Sequence, residues 1–175
     1  MPVVQINEFN TSSQTETSGI TSLGFGSSDS ANLSVGSNGV QLSTTTTSYS
    51  YEKWLRLVCT SLEGYVSISN IKFWRSTGAL GGLDSIKTNA GTGGSYSAIT
   101  TFSTPVTTAS SNTPNTLPGS EPASANIGIN SSLSSTISNL SVLDRSDFLV
   151  LQLNVHKDTR GGSELGFTFA WQENM

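Results

Sequence analysis

Residues 49–75 read YSYEKWLRLVCTSLEGYVSISNIKFWR, and their two-residue alternation sets the fold class. Tyr49, Tyr51, Lys53, Leu55, Leu57 and Cys59 fall on one face of an extended chain, with Trp54, Arg56 and Val58 on the other. After Ser61-Leu62-Glu63-Gly64 the alternation resumes, with Val66, Ile68, Asn70, Lys72 and Trp74 set against Tyr65, Ser67, Ser69, Ile71 and Phe73. Successive side chains of a strand point to opposite faces, so each half predicts a strand. The short link containing Gly64 predicts that the two form a hairpin over 49–75.

The C-terminal part repeats the pattern. In 147–155 (DFLVLQLNV) Leu149, Leu151, Leu153 and Val155 face inward, and in 165–171 (LGFTFAW) large apolar residues recur at every second position. The polar stretch HKDTRGGSE between them predicts a second hairpin. Weaker strands are expected at 2–9, 20–25, 31–35, 39–43, 96–102 and 123–129, and the Thr44–Thr47 run suits a sheet edge. Leu133, Ile137 and Leu140 have helical spacing within 130–140, but the serines there weaken a helix, so a short helix or a loop is expected. Two stretches read as long loops: 76–94, with six glycines, and 103–122, with four of the five prolines. Each would be floppy in isolation or laid out on a neighbouring subunit. About eight to ten short strands predict an all-β chain, a two-sheet, jelly-roll-like β-sandwich forming a single domain over 1–175.

Composition narrows the function. Ser and Thr fill 54 of 175 positions, while charged residues make up only 11%. Helical bundles carry far more Glu, Lys and Arg on their outer faces, so a bundle is excluded. A net charge of −4 provides no basic patch to neutralise phosphates, so no nucleic acid is expected as a partner. The N-terminus MPVVQINEFN lacks a basic, then apolar, leader, and no window has the length of a membrane span. The expectation is synthesis in the cytoplasm, with no membrane partner. The single cysteine, Cys59, cannot form an internal disulfide and reads as a buried, inert thiol.

Catalytic chemistry finds little footing. His156 precedes a charged loop with Asp158 two residues on, but no G-x-S-x-G elbow is present and the histidine reads as a loop-end residue. Asp144-Arg145-Ser146-Asp147 reads as a turn cap ahead of a strand, with calcium binding as the weaker alternative. One His and one Cys are too few for a structural zinc, and no phosphate-binding glycine motif occurs. No catalytic, cofactor-binding or metal-binding residue is assigned, no cofactor is expected, and the chain is read as a non-enzyme. The remaining candidates are Trp54 and Trp74. Side by side on an outer face they would make a subunit interface or a platform for a glycan ring, and otherwise they belong to the core.

The blocks SYSYEKWLRLVCTSLEGYVSISNIKFW (48–74) and SDFLVLQLNVHKDTRGGSELGFTFAW (146–171), with EPASANIGI (121–129) between them, resemble segments of small virion proteins of tailed bacteriophages. The resemblance implies a β-rich virion component of the capsid surface, tail or connector. Such a component is made in the host cytoplasm, self-assembles into a homo-oligomer and docks on other virion proteins. It supplies no site residues. A hydroxyl-rich, weakly charged surface is compatible with it, because such a surface forms hydrogen bonds with a neighbour without desolvating charges. The alternative is a carbohydrate-binding or receptor-binding β-sandwich module.

Overall fold

A computed structural model describes residues 1–33, 38–93, 95–140, 144–159 and 164–175. Nine strands lie among them: β1 (Val3–Asn10), β2 (Thr15–Thr17), β3 (Ser48–Tyr49), β4 (Lys53–Ser61), β5 (Ser67–Thr77), β6 (Ser85–Thr88), β7 (Asn115–Thr116), β8 (Leu149–Val155) and β9 (Gly166–Asn174). They form two antiparallel sheets. The larger runs β2-β1-β4-β8-β6-β7, with β3 pairing β8 in line with β4, and the smaller holds β5 and β9 alone.

Neither expected hairpin forms. β4 pairs with β8 through Lys53↔Leu151, Trp54↔Val150 and Leu55↔Leu149, whereas β5 pairs with β9 through contacts such as Phe73↔Phe169. Each consecutive pair, β4 then β5 and β8 then β9, therefore crosses from one sheet to the other. Glu63 and Gly64, with φ of 49° and 89°, turn the chain out of β4, and glycine accepts that conformation without a Cβ penalty. The physical reason is burial. A hairpin would set the apolar faces of 53–61 and 67–77 side by side on one surface, but the crossing sets them against each other. Leu55, Leu57, Leu149 and Leu151 of the larger sheet thus share one cluster with Ile68, Ile71 and Phe73 of the smaller.

The larger sheet is covered on its other face as well. Phe9, Trp54, Phe148 and Val150 form a second cluster capped by Ile99 and Phe102. Trp54 meets the rings of Phe102 and Phe148 edge-on at 5.1 and 5.3 Å, a favourable arrangement of ring quadrupoles. The stretch 103–122 lies against the larger sheet. It is tied to its own sheet, with Gln152 Nε2 donating to the carbonyls of Val106 and Thr108 at 3.3 and 2.9 Å. Within 76–94 and 103–122, both read as loops, lie β6 and β7. The alternation Ser85-Ile86-Lys87-Thr88 is too short to stand out among glycines.

Strands are absent at 20–25, 39–43, 96–102 and 123–129, and 31–35 lies partly outside the described residues. Within two of them, isolated bridges join Tyr96 to Ala90 and Ile129 to Ser132. Residues 130–140 contain turns and no helix, because Ile137 forms a bridge with Ile68 across the edge of β5.

Candidate functional site

The two sheets differ in how their edges end. Along β5, the groups that β9 leaves unused are taken up by irregular segments: the Arg75 amide donates to Pro118 O, and Ile68 and Ile137 exchange amide–carbonyl bonds at 3.0 and 2.9 Å. Among the described residues no backbone hydrogen bond reaches the other edge of β9. β9 reads GFTFAWQEN and contains no proline, and this edge of it is unpaired among the described residues. Phe167, Phe169 and Trp171 pack on the core cluster yet are only partly buried. A cleft of about 810 Å³ opens beside them between the sheets, lined by Ile6, Ile20, Leu23, Phe25 and Leu153 among others.

The two sequence-derived candidates, Trp54 and Trp74, do not come together. Trp54 sits in β4 of the larger sheet at 0% exposure, with its Nε1 donating to Glu52 Oε2 at 3.0 Å. Trp74 sits in β5 of the smaller sheet, half-buried, opposite Thr168. Trp54 is thus enclosed by the chain's own phenylalanines, and the two rings lie in different sheets.

A second constellation lies at one end of the core between the sheets. Lys53 Nζ donates to Glu8 Oε1 at 2.9 Å and to Ser30 O at 2.8 Å. Asn10 Nδ2 donates to the same Glu8 oxygen at 3.0 Å and to Asp29 Oδ1 at 2.9 Å. Lys53 and Glu8 are wholly buried and Asn10 is 4% exposed, while Glu8 Oε2 has no hydrogen-bond partner among the described residues. A buried ion pair of this kind is seldom a net source of stability, because desolvation offsets the attraction. The sequence carried one signal for it: Lys53 shares the inward register of Leu55, Leu57 and Cys59, where a lysine is out of place.

The remaining titratable candidates are tied up locally. The His156 amide donates to Asp84 Oδ1 at 2.8 Å, and its Nδ1 accepts from the Asp158 amide at 3.3 Å. Lys157, donating to both Asp158 oxygens, holds that carboxyl below its ordinary range. Asp144 caps the Asn139 amide, whereas Asp147 accepts from the Tyr96 hydroxyl and the Ser131 amide, so the two carboxylates serve different turns. Burial pushes the Cys59 thiol up, and its Sγ donates to Ser61 O at 3.3 Å. Among the described residues no three His, Cys, Asp or Glu side chains gather as for a metal ion. No helix among them is long and apolar enough to cross a membrane.

Comparison with protein-family models, with curated proteins and with solved structures finds no match for this chain.

Proposed function

We propose that the chain is a non-enzymatic structural subunit of a virus particle, located in the virion after synthesis in the host cytoplasm. It acts by self-association and by docking on a major capsid or tail protein. The virion assignment rests on the resemblance of 48–74 and 146–171 to small phage structural proteins. The observation that carries self-association is the edge of β9, unpaired among the described residues, beside an apolar cleft. Long open edges are templates for pairing, and proteins that remain monomeric blunt them with charge, proline or cover. The occupant is the β9 edge of a second copy, run antiparallel, so that two two-stranded sheets become one of four strands with a two-fold axis.

We also read the two sheets as the layers of a β-sandwich, supported by the cluster they share. The pairing β4–β8 with β5–β9 is interleaved, whereas a jelly roll wound from one long ribbon has nested pairs, which departs from the jelly-roll expectation.

Size-exclusion chromatography with light scattering across a concentration series tests the reading, followed by pulldown against other virion proteins. The expected species is a dimer or larger, reduced to monomer by Thr168→Lys with Gln172→Lys, which place ammonium groups on the outward face of β9. A strict monomer that binds no virion component overturns it.

A further inference from the structure

The geometry points to a covalent modification site: Lys53 Nζ and the Asn10 carboxamide are set to form an intramolecular amide across β1 and β4, with Glu8 moving the protons. The inference does not depend on the virion reading. Phe9 pairs with Trp54 in the antiparallel ladder, which sets Asn10 opposite Lys53 on one face of the sheet. Cβ atoms of such opposite residues lie about 5 Å apart, within reach of a lysine stem. Glu8, two residues from Asn10, shares that face. One of its oxygens, Oε1, touches both the nitrogen that would attack, Lys53 Nζ at 2.9 Å, and the nitrogen that would leave, Asn10 Nδ2 at 3.0 Å. A single carboxylate oxygen against nucleophile and leaving group is the arrangement general acid–base catalysis needs. Asp29 Oδ1 holds Asn10 Nδ2 from a second side at 2.9 Å, which fixes the carboxamide.

The second, independent observation is Glu8 Oε2, buried without a partner among the described residues. An ion pair serving stability alone would gain by satisfying that atom, since a bare buried carboxylate oxygen is costly. Burial also excludes the water that would otherwise compete for the carboxamide carbon.

The step balances without any co-reactant. Glu8 takes a proton from the Lys53 ammonium, and the freed Nζ lone pair attacks Asn10 Cγ. The carboxyl returns that proton to Nδ2, the Cγ–Nδ2 bond breaks with its electron pair going to nitrogen, and ammonia departs. Nζ passes its surplus proton to the same carboxylate, which ends by protonating the ammonia. One lysine ammonium and one carboxamide become one secondary amide and one ammonium ion, and nothing is oxidised or reduced.

Intact mass of the purified, folded, full-length chain, read after denaturation, tests it. The expected mass is lower than that of the sequence by one ammonia, about 17 Da. Cleavage after glutamate is expected to yield 9–16 (FNTSSQTE) joined to 53–63 (KWLRLVCTSLE). Lys53→Met and Asn10→Ala are expected to restore the full mass, and Glu8→Gln to leave most of the chain unlinked after refolding. The wild-type mass needs no variant to fold. An unchanged mass in a preparation with a native circular dichroism spectrum overturns the proposal. So does loss of water in place of ammonia, which would mark a carboxylate such as Asp29 as the acceptor. Loss of ammonia confined to an unlinked peptide with Asn38-Gly39, a succinimide-forming pair, overturns it equally.

Discussion

Asn126 stands to Phe73 as a neighbouring strand would: its Oδ1 accepts the Phe73 amide at 2.8 Å and its Nδ2 donates to the Phe73 carbonyl at 2.9 Å. One side chain thus satisfies both backbone groups of a buried strand residue on the edge that β9 does not reach. Asn89 does the same kind of work on the larger sheet, accepting from the Val150 amide at 2.9 Å and donating to the Phe148 carbonyl at 2.8 Å. Both asparagines are at 0% exposure. A chain whose strands are joined by long irregular stretches must still pair its buried amides and carbonyls, and these carboxamides do so where no strand is available.

Asn126→Leu keeps the branched outline of the side chain and removes both bonds to Phe73, leaving a buried amide and a buried carbonyl without partners. Each such group costs about 1–3 kcal/mol, so a loss of about 2–5 kcal/mol is expected in urea unfolding. A loss under about 1 kcal/mol would show that water replaces the side chain there.

Glu52 fastens the stretch that covers the outer face of the larger sheet. Its two oxygens accept from Trp54 Nε1, the Val106 amide, the Ser110 hydroxyl and Asn112 Nδ2. Glutamine at this position has one acceptor oxygen and presents donors to donors. Glu52→Gln is expected to destabilise by about 2–4 kcal/mol. Hydrogen exchange at the Val106 amide, which also donates into this carboxylate, is the sharper readout. Unchanged protection there would mean that packing of Phe102 alone holds the segment.

Strand existence was legible because Leu55, Leu57, Leu149 and Leu151 alternate strictly with other residues, and a half-buried strand requires that. Strand partnership was not. Residues 53–61 and 67–77 have the same local pattern whether they return as a hairpin or cross between sheets, and the choice is made by long-range burial of two apolar faces. Single-residue pairings, such as Ile137 with Ile68, leave no period to detect. The buried polar constellation was half legible: Lys53 was visibly in an inward register, but Glu8 and Asn10 meet it only once β1 lies beside β4. Trp54 and Trp74 could not be sorted by period, since β4 is covered on both faces near its start.

That double coverage gives the tryptophans different sensitivities. Trp54→Ala removes the centre of the Phe9, Phe148 and Phe102 cluster and is expected to cost about 3–5 kcal/mol. Trp74→Ala, at a half-buried position, is expected to cost half of that or less. Urea unfolding compares them, and quenching by acrylamide separates the two rings in the native state. Equal losses would contradict the placement of Trp54.

Tyr96 contributes to the loss of stability in alkali. Its hydroxyl donates to Asp147, whose Oδ2 also accepts the Ser131 amide at 2.9 Å. Gly128 makes room for it, since a Cβ there would come within 2.6 Å of the hydroxyl oxygen. Burial first, and the bond and charge of Asp147 second, push the phenol far above its ordinary value of 10.0. Above that pH the unfolded chain releases the proton while the folded chain keeps it. The folded state therefore binds more protons, and stability falls as pH rises. The contribution is complete below about pH 10 and is lost progressively above it. Tyr65, raised by its bond to Glu173 at the surface, adds a slope of the same sign, so the test compares wild type with Tyr96→Phe. The variant is expected to lose about 1–3 kcal/mol at neutral pH, because Asp147 keeps one donor fewer, and to show a flatter decline in alkali. Identical slopes in the two proteins between about pH 9 and about pH 11.5 would mean that the Tyr96 phenol ionises freely in the folded state.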